Sequence, residues 1–217
     1  MATTGDWVDL AGRRPGALAH QEATRALAEH PVRHRLARLM GVHTTERAWR
    51  IGARGEELVG RQLEGLRRRD PRWHVLHSVP IGDRGSDIDH VLIGPAGVFT
   101  LNAKHPPDAR ITVRGDHLLL AGRSRPYIPA SRHEAARAAR LLTAACGSPV
   151  AVTGLVVLVG ARDLVIRSAP TDVAVTTRRR LRGWLRRRPD VLADESIAAV
   201  HAMARRSTTW RGSAGRI

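Results

Sequence analysis

Two short apolar runs, Asp87 to Ile93 and Gly97 to Lys104, are joined by Gly94-Pro95-Ala96-Gly97. Proline at the second turn position and glycine at the fourth suit a tight connection, so the two runs read as an antiparallel hairpin. With Pro95 and Ala96 as the loop residues, Asp89 falls opposite Asn102 and Asp87 opposite Lys104. Directly opposed residues share a face, and side chains alternate along each strand. Asp87, Asp89, Asn102 and Lys104 are therefore expected on one face, with Ile88, Leu92, Phe99 and Leu101 turned to a core on the other. A slip of one residue would break this pattern, because it sends every side chain to the opposite face.

Lys104 is the one lysine among 36 Lys+Arg residues. Arginine and lysine differ where a compact ammonium or a tunable pKa is needed, so the exception points to chemistry at this position. Two acids and a lysine on one strand face suit phosphodiester hydrolysis. Carboxylate oxygens hold Mg²⁺, which offsets charge on a phosphate and activates water, and an ammonium can orient that water. Glu56, near the start of a helix opened by Gly52-Ala53-Arg54-Gly55, can supply a further oxygen.

The remaining sequence reads as an α/β chain around a central mixed sheet flanked by helices. Residues 1–50 form an N-terminal helical extension, with helices expected over Ala17 to Glu29 and Val32 to Met40. The main domain covers 51–176, and 177–217 is an arginine-rich helical end. Within the domain, a helix to about Arg68 precedes a strand at Trp73 to Val79 and the acid-bearing hairpin. A second hairpin is expected across Arg114-Gly115-Asp116, then a helix capped by Ser131 with Glu134 at its third position. Val150 to Val159 reads as a buried strand, and Asp163 to Ile166 and Asp172 to Val175 as short ones. Helices are expected to close the chain over Thr177 to Arg188 and Pro189 to Arg206.

A net charge of +16 favours a polyanionic partner, and nucleic acid is the abundant one. The same arginine-rich composition is also what a genome-wide preference for arginine would leave. Arg178, Arg179, Arg180, Arg182, Arg186, Arg187 and Arg188 crowd one segment that can follow a phosphate backbone, with Trp184 read as facing the core. His133 is either a simple surface histidine or a contact to substrate. The single cysteine, Cys146, excludes an intramolecular disulfide and fits a reducing compartment, with no disulfide-linked partner expected. Neither a signal peptide nor an apolar stretch long enough to cross a bilayer is present in the sequence, so a cytoplasmic protein without membrane partners is expected.

Several blocks together resemble a known family. They are Gly52-Ala53-Arg54-Gly55-Glu56, Trp73 to Val79, Asp87-Ile88-Asp89-His90-Val91-Leu92-Ile93-Gly94-Pro95-Ala96-Gly97-Val98-Phe99 and Asn102-Ala103-Lys104. This set is similar to the nuclease-related domain (NERD) family of the PD-(D/E)XK nuclease-like superfamily, over roughly residues 51–145. The resemblance implies a restriction-endonuclease-like αβββαβ core, bacterial cytoplasmic occurrence and a role in DNA processing. It also implies that Glu56 is the helix glutamate, Asp89 the metal-binding aspartate and Lys104 the catalytic lysine. The family pattern has glutamate two residues before the lysine, where this chain has Asn102. Asn102 can ligate a metal through its carbonyl oxygen but carries no charge, and Asp87 on the same predicted face can compensate. Two readings follow: a nuclease dependent on Mg²⁺ or Mn²⁺, with Asp89, Glu56, Asn102 and Asp87 as metal ligands, or an inactive nuclease fold that binds nucleic acid.

Overall fold

The computed structural model describes residues 7–17, 45–82, 86–106 and 108–211, and for 45–49 the backbone alone. The two helices expected between Ala17 and Met40 lie outside the described residues. The described elements run α1 (Thr45–Arg67), β1 (His74–Ile81), β2 (Ser86–Gly94), β3 (Gly97–Lys104), β4 (Arg110–Arg114), β5 (His117–Leu120) and β6 (Arg123–Arg125). They continue with α2 (Tyr127–Cys146), β7 (Val152–Leu158), β8 (Asp163–Ser168), β9 (Val173–Thr177), α3 (Leu181–Arg186), α4 (Asp194–Ala204) and a 3₁₀ turn at Ser207–Trp210.

The expected mixed sheet is present, in the order β1-β2-β3-β7-β9. β1, β2 and β3 are antiparallel neighbours, whereas β3, β7 and β9 run parallel. A parallel step needs a long crossover, and here β4 to β6 and α2 supply the one between β3 and β7. The strands β6-β5-β4-β8 form a second, smaller sheet. One face of the large sheet packs Leu92, Phe99, Leu101 and Leu155 against Val59 and Leu63 of α1 and Leu181 and Leu185 of α3. The other packs Val91, Ile93 and Val98 against Ala138 and Leu142 of α2 and Ile197 and Val200 of α4. Each fully buried leucine of these layers stabilises the fold by about 2 kcal/mol. Trp184 turns inward as expected, meeting Phe99 edge to face at 6.0 Å.

Several expected boundaries move. α1 begins at Thr45, ahead of Gly52, so Glu56 lies in mid-helix. α2 begins at Tyr127 behind Pro126, which places Pro129 in the first turn, where a missing N–H costs nothing. Ser131 and Glu134 are consequently not cap residues; they sit on the inner side of an established helix. β9 extends to Thr177, and Arg178 to Arg180 form a turn before the short α3, so the arginine run is not one continuous helix. Arg182 is half-buried over Gly65 of α1, and Arg188 covers the Trp184 ring at 4.4 Å.

Candidate metal centre and its lysine

The expected hairpin register holds where β2 and β3 are paired, from Gly94↔Gly97 to His90↔Leu101. The ladder then stops, before Asp89 reaches Asn102. Asp89 instead accepts a hydrogen bond from the Ala103 backbone N–H through Oδ2, at 2.6 Å. The carboxylate thus fills the fork between two separating strands and replaces a ladder bond. A carboxylate accepting from a backbone N–H makes a strong, directional contact, which fixes its position.

The cause of the fork lies on the neighbouring strand. β1 and β2 pair from His74↔Ile93 to Ile81↔Ser86 with one pair missing, Ser78 opposite Asp89. Ser78 is buried and has a left-handed φ of 47°, unusual for a non-glycine residue. Alternation slips here on both strands: Leu76 and Val79, and likewise Val91 and Ile88, are three residues apart yet enter the same core cluster. Ile88 therefore does not share a face with Leu92, Phe99 and Leu101, as simple alternation requires. The slip changes the face presented by Asp87 and Asp89 relative to the regular part of β2, bringing them to Glu56 on α1. One carboxylate oxygen from each of Glu56, Asp87 and Asp89 lies within 4.8 Å of the others.

The N-terminal segment closes over this group. Gly16, at φ 76°, donates its N–H to Glu56 Oε2 at 3.1 Å, and Arg13 donates to the Ser78 carbonyl at 2.9 Å. On the far side of the fork, Asn102 Nδ2 donates to Glu134 Oε2 at 3.3 Å. Asn102 Oδ1 and Glu134 Oε1 are shielded from solvent and make no well-formed hydrogen bond among the described residues, although the Thr100 hydroxyl lies close enough to Glu134 to favour its ionised form. α2 reaches this position because β7 carries Gly154, where a Cβ would come within 2.6 Å of Ser131 Oγ. Lys104 extends toward the Tyr127 ring, its Nζ 5.3 Å from the centroid.

The electrostatics follow from burial. Glu56 is 6% exposed, and desolvation pushes its carboxyl well above the ordinary range, with the charges of Asp89 and Asp87 adding. Desolvation also raises Asp89, against the Ala103 hydrogen bond and the Lys104 charge. Glu134 rises from 4.5 to about 7 for the same primary reason, with Asp89 second. The Lys104 charge acts on all three and favours their ionised forms. An incoming divalent cation would offset the same penalty. The donor set is all hard oxygen, and the two orphaned buried oxygens of Asn102 and Glu134 add acceptors without well-formed hydrogen bonds, so the residues fit Mg²⁺ or Mn²⁺.

His90 is fully buried and meets His77 through their Nδ1 atoms at 2.8 Å. Burial lowers both histidines, His77 to about 4, so they stay neutral near neutral pH. His105 leaves β3 and packs against Gly55 of α1 and against Gly160. His133 is exposed on α2. Arg178, Arg179 and Arg180 follow Thr177, which is in register with Leu158, itself in register with Lys104. The arginine turn therefore lies at the same end of the sheet as Lys104, about two strand spacings or roughly 10 Å away. Arg186, Arg187 and Arg188 are exposed beyond it.

Glu134 and the Arg13–Gly16 segment are the parts of this arrangement that residue patterns did not single out. For Glu134 the signal is its place as an acid adjoining the apolar stripe Ala135, Ala138 and Leu142, but its spacing from Ser131 fits a capping pattern equally well. For Gly16 no sequence signal marks the contact, since forty residues separate it from Glu56.

Among the described residues no helix is long and apolar enough to cross a membrane. The nuclease-related domain family matches residues 51–159, half of the 217-residue chain, spanning α1 through β7. No curated protein and no solved structure matches the chain. The family match covers every residue of the carboxylate–lysine group, and the chain belongs to the nuclease-related domain family.

Proposed function

We propose that this protein hydrolyses phosphodiester bonds of DNA with a divalent metal, Mg²⁺ or Mn²⁺, at the fork between β2 and β3. The observation that carries this reading is the convergence of Glu56, Asp87 and Asp89 oxygens within 4.8 Å, beside the chain's single lysine. Glu56, Asp87 and Asp89 would hold the ion, with Asn102 Oδ1 as a neutral further donor. The bound metal would offset charge on the attacked phosphate and lower the pKa of water. Lys104, at the end of β3, donates from its ammonium to the water or to a phosphate oxygen. Its compact charge and rotatable donors suit that task better than a guanidinium fork. Arg178, Arg179 and Arg180 would engage flanking phosphates, with Arg182, Arg186, Arg187 and Arg188 extending the basic surface, and His133 would meet the strand from α2.

The chemistry is tested by incubating the full chain with single- and double-stranded DNA and with RNA, in Mg²⁺, in Mn²⁺ and in chelator. Metal-dependent cleavage of DNA that Asp89→Ala and Lys104→Ala each reduce by about 10²-fold or more is the expected result. Cleavage that survives both substitutions would sink the assignment. A second reading, a nuclease fold that binds nucleic acid without cutting it, is favoured by Asn102 in place of the family glutamate. Salt-sensitive DNA retention with no product in either metal would select it.

A further inference from the structure

Asn102 leaves the centre one carboxylate short of the family pattern, yet the space beside it already holds a carboxylate. We infer that Glu134, carried in from α2, is the missing metal-binding acid, and that Asn102 is the residue that positions it. This rests on the metal-binding part of the proposed reading, the fork as a divalent-metal centre.

Three observations carry the inference. First, Asn102 Nδ2 donates to Glu134 Oε2 at 3.3 Å, so one carboxylate oxygen is held and the other, Oε1, is left over. Second, that Oε1 and Asn102 Oδ1 are both shielded from solvent without a well-formed hydrogen bond among the described residues. Buried acceptors are normally satisfied, and these two oxygens sit on adjacent side chains, with Asp89 of the three-carboxylate group close enough for its charge to act on Glu134, so a cation would satisfy them. Third, Glu134 is held rigidly. It sits one turn beyond Ser131, which packs onto Gly154 of β7, with Ala135 and Ala138 buried beside it. The strand that pairs with β7 in parallel carries Asn102 itself, opposite Val156.

The charge arithmetic explains why asparagine stands at 102. A glutamate there would set a second carboxylate against Glu134, in a centre that already holds Asp89. The amide instead supplies a donor that orients Glu134, so the negative charge sits on the helix rather than on the strand. Positions 102 and 134 are therefore coupled: an acid at one requires a neutral partner at the other.

The test measures Mn²⁺ binding to the full chain by titration calorimetry, beside cleavage of DNA in Mn²⁺ and thermal unfolding without metal. Glu134→Gln keeps shape and removes charge; it should fold normally and weaken Mn²⁺ binding by about tenfold or more. Glu134→Asp, a shorter acid, should lose less. Asn102→Glu alone should gain nothing, whereas Asn102→Glu combined with Glu134→Gln should recover most of the lost affinity. An unchanged Mn²⁺ Kd in Glu134→Gln, a gain in Asn102→Glu alone, or no Mn²⁺ binding by the native chain would each overturn the inference. Mn²⁺ binding that depends on Glu134 without cleavage of any substrate would instead defeat the nuclease reading and leave this one standing. Cleavage and binding both indifferent to Glu134→Gln would do the reverse.

Discussion

Two groups of acids in this molecule meet their cations in opposite ways. On the surface, Arg132 of α2 reaches Asp116 at 2.6 Å and Asp172 at 2.5 Å, and its hydrogen bonds hold both carboxyls below their usual range. In the β2–β3 fork, burial raises Glu56, Asp89 and Glu134, and the Lys104 charge offsets only part of that cost. The first group is satisfied, exposed and supplied with the cation this chain uses everywhere. The second is desolvated, holds orphaned oxygens and faces the one cation used nowhere else. Satisfied ion pairs at a surface contribute little beyond local order. Acids kept unsatisfied at the cost of stability are what a binding centre requires.

The two groups differ most at their cations. Lys104→Arg should lose cleavage nearly as fully as Lys104→Ala, by about 10²-fold, because the guanidinium cannot supply the same compact donor. Arg132→Lys should cleave at the native rate. Equal tolerance at the two positions, measured as initial rates in Mn²⁺, would erase the distinction.

Close packing of α2 on β7 is the next point to probe. Gly154→Ala puts a methyl 2.9 Å from the Ser131 carbonyl oxygen, which is backbone and cannot swing aside. The helix must shift, at about 1–3 kcal/mol by denaturant titration, and Glu134 must shift with it. A stability equal to that of the native chain would mean that the contact does not set the helix position.

pH separates the carboxylate centre from the buried histidines. Glu134 titrates near 7 in the fold against 4.5 when unfolded, so its share of stability is complete below 4.5 and is lost as pH rises through about 7. Raised values at Glu56 and Asp89 act in the same direction. His77 is lowered from 6.5 to about 4, so its share is present above 6.5 and is lost as pH falls through about 4. The melting temperature should therefore decline on both sides of a weakly acidic optimum. Millimolar Mn²⁺ should reverse the alkaline decline only, because metal replaces protons on carboxylates. A Mn²⁺ stabilisation of equal size at pH 5 and pH 8 would contradict this assignment.

The smallest expected effect belongs to the surface group. Arg132→Ala should leave the cleavage rate and the Mn²⁺ Kd at their native values and lower the melting temperature only slightly, since its partners stay solvated. A change in Mn²⁺ binding would show the two groups to be linked through α2.

Much of the fold was legible from local chemistry. The Gly94-Pro95-Ala96-Gly97 turn fixed the hairpin register, and the β-branched content of Val150 to Val159 identified the buried strand that became β7. Asp89, Lys104 and Glu56 stood out by residue type and family pattern. Simple alternation failed at one place, opposite Ser78, because a left-handed residue on β1 shifts the phase of both strands there. That local break parts Asp89 from Asn102 and gives it the Ala103 N–H instead. The helix boundaries failed for a different reason. Serine and glutamate three residues apart satisfy a capping pattern, but helix length was decided by packing on β7, which extended α2 back to Tyr127.

The sequence by itself determined which residues can do chemistry, because residue type and the period of two along a strand act over short range. It also showed the departure at Asn102, a matter of identity alone. The tertiary structure alone decided which groups meet: Gly16 with Glu56, and Asn102 with Glu134, each pair separated by more than thirty residues. Such contacts depend on the crossover that carries α2 over the sheet and on the approach that Gly154 permits. Neither is written in any local pattern, because both follow from how whole layers pack.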